Sequence, residues 1–276
     1  TEIADRIYRI TLQSDAAAFA NAGPGQFINL YLRDKSMLLP RPISICFMEK
    51  DQITLVYRAV GKGTKEISTY REEDFIQIST PLGQGYYIDE MFKTLDAVNS
   101  ETKTIALVAG GVGVPPMVEL AKAIQKRLVE DNPTQRQFAD GSRNKIMLVS
   151  MMGFQQAPFL IEELMNYCDE VHIAAENGTA GFHGNVLEMM ETRKITADYF
   201  LACGPKPMLK ALAGICEKID KPLQVSMEER MGCGYGACVG CTCKTKSKSD
   251  GIIKIKQKKV CKDGPVFFGD EVVWNE

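Results

Sequence analysis

Long apolar runs, strong net charge and metal-spaced histidines are all missing from this 276-residue chain, and each absence closes off a class of function. No hydrophobic stretch approaches the roughly twenty residues that a bilayer core demands, so no spanning helix is expected. A formal net charge of -2 provides no electrostatic basis for holding nucleic acid or an anionic membrane surface. The two histidines, His172 and His183, lack metal-ligand spacing and are read as ordinary residues. The opening Thr-Glu-Ile-Ala-Asp-Arg has neither the form of a signal peptide nor an initiator methionine, and the expectation is a processed or lost N-terminus. Nine cysteines, an odd number scattered along the chain, do not make a disulfide framework and suit a reducing cytoplasm. What remains is a chain of ordinary hydrophobic content, 45%, long enough for two domains and an appendage.

The densest chemistry lies at residues 231 to 243, Met-Gly-Cys-Gly-Tyr-Gly-Ala-Cys-Val-Gly-Cys-Thr-Cys. Cys233, Cys238 and Cys241 are separated by four residues and then two, and Cys261 follows at a distance. That is the plant-type 2Fe-2S pattern, in which four thiolates hold two irons. Zinc is the second reading, since sites of that metal favour two short cysteine pairs and only 238/241 and the looser 233/238 qualify. A glycine-rich turn with structural cysteines is the third. Gly232, Gly234, Gly236 and Gly240 let the backbone wrap closely around a compact cluster and turn amides toward its sulfurs. Cys243 is left over as a spare thiol.

From Arg6 onward the apolar pattern has period two, through Phe27 to Leu32, Ile43 to Cys46, Ile53 to Val60 and Phe75 to Ile78, with turn signals between. Short strands at that rhythm predict a closed antiparallel barrel over residues 1–90. Within it, Arg41-Pro42-Ile43-Ser44 sets a fixed cation and a hydroxyl around a stiff proline, suited to a phosphate and a polar ring. Val56-Tyr57-Arg58 and then Gly61-Lys62-Gly63-Thr64 lead into a short helix whose free amides suit an anion. Taken singly, an Arg-Pro pair is more often a strand-end salt bridge and a Gly-x-Gly turn is usually only a turn.

Beyond Lys103 the period changes. Thr104 to Val108 predicts a strand, the loop of Gly110, Gly111, Gly113, Pro115 and Pro116 follows, and Met117, Leu120, Ala121, Ile124 and Leu128 mark one face of a helix. Strand, glycine loop and helix together cradle a pyrophosphate, although a proline stands where the third glycine of the dinucleotide fingerprint would be. Strands at Lys145 to Ser150, Val171 to Ala175 and Tyr199 to Cys203, with helices at Pro158 to Tyr167 and Pro205 to Ile219, predict a parallel sheet covered on both faces. Glu130 to Asn144 reads as an exposed loop. Cys203 ends a strand where such sheets bind ligands, and by residue type alone it reads as a small buried hydrophobe.

In this order the segments resemble the ferredoxin-reductase superfamily and, within it, the electron-transfer subunits of the NAD-dependent, B-type dihydroorotate dehydrogenase. The resemblance covers nearly the whole chain and rests on Arg41 to Ser44, Tyr57-Arg58 with Gly63-Thr64, the 109 to 117 loop, Cys203-Gly204-Pro205-Lys206-Pro207-Met208, and the cysteine loop closed by Val260-Cys261-Lys262-Asp263-Gly264-Pro265. It implies three domains: an FAD-binding antiparallel β-barrel at 1–90, an NAD-binding α/β parallel-sheet domain at 91–222, and a small 2Fe-2S domain at 223–276. FAD would be held by Arg41, Pro42, Ile43 and Ser44, by Val56, Tyr57 and Arg58, and by Gly63 and Thr64. Nicotinamide would lie over Gly110, Gly111, Gly113 and Pro116. Ser44 would stand near the flavin's reactive nitrogen and Cys203 near the hydride, and Cys233, Cys238, Cys241 and Cys261 would be the cluster ligands.

The resemblance further implies a cytoplasmic oxidoreductase subunit of pyrimidine (UMP) biosynthesis. Electrons would arrive singly from an FMN-containing catalytic partner that oxidises dihydroorotate, and would leave on NAD as hydride. The assembly implied is a heterotetramer of two subunits of each kind. Two competing readings stay open: the small subunit of a ferredoxin-NADP transhydrogenase or sulfide dehydrogenase, and a zinc-stabilised binding module. One departure is the long Lys244 to Lys259 stretch before Cys261, expected as a solvated hairpin or, alternatively, a docking edge.

Overall fold

The computed structural model describes residues 1–14, 19, 22–49, 51–130, 145–249 and 252–274. The expected loop at Glu130 to Asn144 falls outside these, apart from Glu130 itself.

The N-terminal third is antiparallel. Strands β1 (Glu2–Ala4), β2 (Ile7–Gln13), β3 (Phe27–Tyr31), β4 (Arg41–Met48), β5 (Gln52–Arg58) and β6 (Gln77–Ile78) form one sheet in the order β1-β2-β5-β4-β3-β6. Alternation sends Ile28, Leu30, Ile45, Ile53 and Leu55 into a single core, all of them fully buried. Closure is where expectation and structure part. Among the described residues no ladder joins the β1 edge to the β6 edge, so the sheet is open and not a closed barrel. The physical reason is length: β6 has two residues and leaves Phe75 in solvent, so that edge is too short to carry a seam. Helix α1 (Lys62–Ile67) caps one side, and α2 (Ile88–Asp96) leads into the second half.

The second half is built on β7 (Thr102–Gly110), β8 (Lys145–Phe154), β9 (Glu170–Ala175), β10 (Phe182–His183), β11 (Tyr199–Cys203) and β12 (Leu223–Ser226). These pair in parallel in the order β10-β9-β8-β7-β11-β12. Strand β7 lies between two neighbours and is buried on both faces, which is why it reads as a continuous apolar run from Ile105 to Ala109. Helices α3 (Pro115–Glu130), α4 (Ile161–Met165), α5 (Val186–Thr192) and α6 (Lys206–Lys218) connect and cover it. Two prolines open α3, where a missing N–H costs nothing and the fixed φ suits a first turn. Helix α5 starts at Asn185, whose side chain accepts from Leu187 and Glu188 while Glu188 reaches back to the Asn185 amide. This helix was not expected from the sequence, because the stretch is too short for the apolar period to register.

The tail returns. After hairpin β13 (Thr242–Ser249) and β14 (Ile252–Lys259) and the short helix α7 (Val260–Asp263), strand β15 (Val266–Phe268) adds antiparallel to the β12 edge, Val225 facing Phe267. Cys241, Cys243, Val260 and Cys261 therefore share a core with Phe200, Leu209 and Val225 of the parallel half, and with Phe27 of β3. The expected Lys-rich hairpin forms. Its base is packed, with Thr245 3% exposed and Lys258 paired to Glu271 at 3.2 Å, while Ile252, Ile253 and Ile255 of the outer strand stand in solvent.

Polar contacts fix the two halves against each other. The buried carboxylate of Glu119 on α3 accepts from the Met48 amide at 2.7 Å and pairs with Lys122. The buried Gln224 side chain accepts from the Tyr87 amide at 2.8 Å and donates to the Tyr199 hydroxyl at 2.9 Å. No helix among the described residues is long and apolar enough to cross a membrane.

Candidate redox site

The cleft between the two sheets holds a cavity of about 870 Å³. One wall comes from strands β4 and β5, as Pro42, Ile43, Ser44, Val56, Tyr57 and Arg58. The facing wall comes from the C-terminal ends of β7, β8 and β11, as Gly110, Gly111, Gly113, Gly153, Cys203 and Gly204, with Glu176 beyond β9. Ligands bind at this end of a parallel sheet because the loops there leave backbone amides free. Ten of the expected residues meet here: six from β4 and β5, then Gly110, Gly111, Gly113 and Cys203.

Arg41, Gly63, Thr64 and Pro116 do not line the cavity. Arg41 donates to the Leu39 carbonyl at 2.7 Å, and its guanidinium lies so close to Gly63 that a Cβ there would come within 2.2 Å of Nε. Glycine at 63 is thus what lets the cation lie flat on the α1 turn. Thr64 serves that turn, its hydroxyl accepting from the Val60 amide at 3.0 Å and the Gly61 amide at 3.1 Å. Pro116 is buried in the first turn of α3.

The glycine loop has its own steric logic. Gly111 to Gly113 make a single 3-10 turn, and a Cβ on Gly113 would sit 2.3 Å from the Cys203 carbonyl oxygen. Only a residue without a side chain lets the β7 loop pass that close to the end of β11. Burial pushes the Cys203 thiol up to about 12, against a partial opposing hydrogen bond with Ser226. At neutral pH it is a neutral thiol, not a nucleophile.

The cysteine loop begins at the cavity. Met227, Glu228, Glu229 and Met231 line the wall, and Cys233 follows two residues later. The thiols fall into two pairs. In the first, the Cys233 amide donates to Cys238 Sγ at 3.4 Å, while the Ala237 and Cys238 amides donate to Cys233 Sγ at 3.3 and 3.4 Å. In the second, the Cys261 amide donates to Cys241 Sγ at 3.4 Å, across 20 residues of chain. Burial alone would raise the Cys233 thiol, but the amides of Cys238, Tyr235 and Ala237 outweigh it and hold the group down at about 6. Cys261 goes the other way, to about 12, through burial and then its neighbour Cys241. Among the described residues no three His, Cys, Asp or Glu side chains gather around one point as a single ion would need.

Two of the four loop glycines carry the backbone strain, Gly234 at φ +79° and Gly236 at φ +92°. Most of the amides that reach sulfur belong to non-glycine residues. Cys243 lies apart, buried on β13, with burial pushing its thiol up to about 11. One residue at this site escaped the sequence reading altogether: Asn29 on β3, whose Nδ2 donates to the Cys233 carbonyl at 2.9 Å. A polar residue inside an otherwise apolar strand run, Phe27 to Leu30, was the available signal.

The donor sets suit the groups expected. Four thiols in two pairs, three amides turned toward one sulfur and close-packed glycine turns fit a two-iron cluster. A cavity of this size between a glycine loop and a strand wall bearing Ser44 and Arg58 fits a flavin beside a nicotinamide.

Fold and site together define a ferredoxin-reductase-type oxidoreductase with a cysteine-bearing tail. Residues 228–273 match the family described as the iron-sulfur cluster binding domain of dihydroorotate dehydrogenase B. Over 276 residues the chain is 37% identical to the dihydroorotate dehydrogenase B (NAD(+)) electron transfer subunit of Geobacillus kaustophilus, covering 98% of this chain and 94% of that one. It is 38% identical to the subunit of the same name from Bacillus pumilus, with the same coverage. Among solved structures, an NADH-dependent reduced ferredoxin-NADP oxidoreductase, reported for flavin-based electron bifurcation, superposes with a TM-score of 0.75 at 26% identity, over 100% of this chain and 88% of that one. Phthalate dioxygenase reductase shares the fold, with a TM-score of 0.51 at 16% identity over 94% of this chain and 91% of that one. The chain belongs to the family of dihydroorotate dehydrogenase B electron-transfer subunits.

Proposed function

We propose that this chain carries electrons between an FMN-containing, dihydroorotate-oxidising catalytic subunit and NAD, in the cytoplasm and in the service of pyrimidine synthesis. The observation that carries the reading is adjacency: the cysteine loop springs from the wall of the nucleotide-sized cavity, with Met231 on that wall and Cys233 next but one. Relatives at 37% and 38% identity carry the dihydroorotate dehydrogenase name, whereas the ferredoxin-NADP oxidoreductase stands at 26%, which favours the first reading over the transhydrogenase type.

When bound, a 2Fe-2S cluster handles single electrons and FAD converts between single electrons and the hydride that NAD takes. The chain's residues provide the setting. Cys233 with Cys238, and Cys241 with Cys261, would each hold one iron, and the amides of Ala237 and Cys238 favour the thiolate form of Cys233. Arg41, braced on Gly63 outside the cavity lining, would offer a fixed cation to the FAD phosphates, and Pro42, Ile43, Val56, Tyr57 and Arg58, with the Thr64 turn, would shape the wall around it. Ser44, on the cavity wall, would offer a hydroxyl to the ring. Gly110, Gly111 and Gly113 would admit the nicotinamide nucleotide, with Pro116 in the first turn of α3 behind them. Cys203, held protonated by burial, would pack at the hydride position as a neutral group. The working units are residues 1–90, 91–222 and 223–276, the last lending β12 and β15 to the sheet of the second, and the assembly has two of these chains with two catalytic subunits.

The test is an anaerobic absorption spectrum of the purified protein with iron, sulfide and flavin assays, followed by titration with NADH. About two irons and one FAD per chain, bleached by NADH, are expected. Zinc in place of iron, without flavin, overturns the proposal and favours a binding module.

A further inference from the structure

Asn29 is a fully buried amide between the strand wall of the cavity and the cysteine loop. Its flanking residues, Ile28 and Leu30, turn into the N-terminal core, so Asn29 projects from the opposite face of β3, the face that Phe27 turns to the core shared with Cys241 and Cys261. Its backbone is held twice by Ser79, donating to the hydroxyl at 2.9 Å and accepting from the amide at 3.0 Å. In the β3–β4 register it stands opposite Pro42, which lines the cavity. The side chain then spans 204 residues of sequence to the carbonyl of Cys233.

Stability does not account for this arrangement. The amide is half satisfied, because Oδ1 is buried with no hydrogen-bond partner, and a buried polar atom left unpaired is destabilising. The loop is also shaped to the amide. Gly234 takes φ +79°, and a Cβ there would lie 2.5 Å from Nδ2 and 2.6 Å from Oδ1. A leucine would fill the space without an orphaned acceptor. The structure keeps an asparagine and a strained glycine facing each other next to the first thiol of the loop.

We propose that Asn29 is a positioning residue for the iron–sulfur centre. Its amide ties the Cys233 carbonyl to the flavin-side sheet, and so fixes both the first thiol of the loop and the spacing between the two redox sites. The inference rests on the function proposed above and adds a residue outside the cysteine loop on which that function depends. Groups that orient metal ligands from the next layer typically change affinity or activity about ten- to a hundredfold when removed.

The test uses the purified holoprotein with Asn29→Leu, which keeps the branching and heavy-atom count and removes the donor, and Asn29→Thr as a second, smaller variant compatible with a strand. Stopped-flow reduction by NADH reads flavin bleaching and cluster bleaching separately. EPR of the reduced cluster and its midpoint potential report the thiol geometry. Expected are wild-type FAD content and flavin bleaching, an altered EPR signature, a shifted potential, and cluster reduction slowed about ten- to a hundredfold. Loss of iron from a variant that keeps its FAD and Tm supports the same role. Wild-type EPR, potential and cluster reduction in either folded variant overturns it, as does failure of both variants to fold, which would assign Asn29 to stability alone. A wild-type protein with neither iron nor flavin overturns the functional reading itself, and the two failures are thereby told apart.

Discussion

The cysteine loop and the nucleotide cavity are neighbours built in opposite ways. Three of the loop's four paired thiols come from nine consecutive positions, Cys233 to Cys241, and its chemistry is a matter of local spacing. The cavity draws its walls from β4, β5, β7, β8 and β11 and the tail, with no short stretch dominating. A local site survives small shifts of the fold around it but not the loss of one ligand. A site assembled from distant strands should tolerate the loss of one lining residue and fail when two elements are forced apart.

The sharpest way to break that contrast is at a thiol. Cys241→Ser should drop iron from about two per chain to near none while FAD stays bound, as read by iron and flavin assays on the same sample. Retention of iron would mean that the loop is not the metal site. Next in size is Gly113→Ala, which drives a methyl into the Cys203 carbonyl. Overpacking of this kind costs about 1–3 kcal/mol, so Tm should fall by several degrees and flavin bleaching by NADH should slow. Gly61→Ala is the control, since a Cβ there meets nothing within 4 Å and thermal unfolding should be unmoved.

Arg41→Ala should weaken FAD about ten- to a hundredfold, the equivalent of one lost charge-assisted contact, without touching iron content. Equilibrium dialysis with fluorescence detection measures it, and unchanged retention would remove Arg41 from the phosphate site.

The smallest effect is alkaline. Burial pushes Cys46, Cys203 and Cys216 up to about 12 from 9.0, so the unfolded chain loses these protons first. Their contribution is complete below about pH 9 and is lost as pH climbs toward 12, so Tm should decline over that window. Cys216→Ala should make the decline shallower, and an identical slope would exclude this thiol as a source.

How much was legible follows the same division. The Cys233, Cys238, Cys241 and Cys261 spacing, the glycine-proline loop before α3 and the strand ending at Cys203 could all be read in one dimension, because each expresses a local demand of backbone or ligand geometry. Arg41 was legible as a fixed cation, but its bracing on Gly63 was not. Closure of the first sheet was misread because period-two patterning reports which face of a strand is buried and says nothing about whether the edges meet. Strand β15 was missed because three residues carry too little pattern, and only its partner β12 makes it a strand.

By itself, then, the sequence determined most of the longer strands and helices, the spacing of the cysteines and the family. Those depend on spacing of a few to twenty residues, which chain geometry converts directly into shared faces and loops. Only the tertiary structure decided that the tail completes the parallel sheet, that the cysteine loop opens off the cavity, and that Asn29 reaches Cys233. Each of these is a contact between segments far apart in the chain, set by how two sheets pack and not by any local preference of the residues involved.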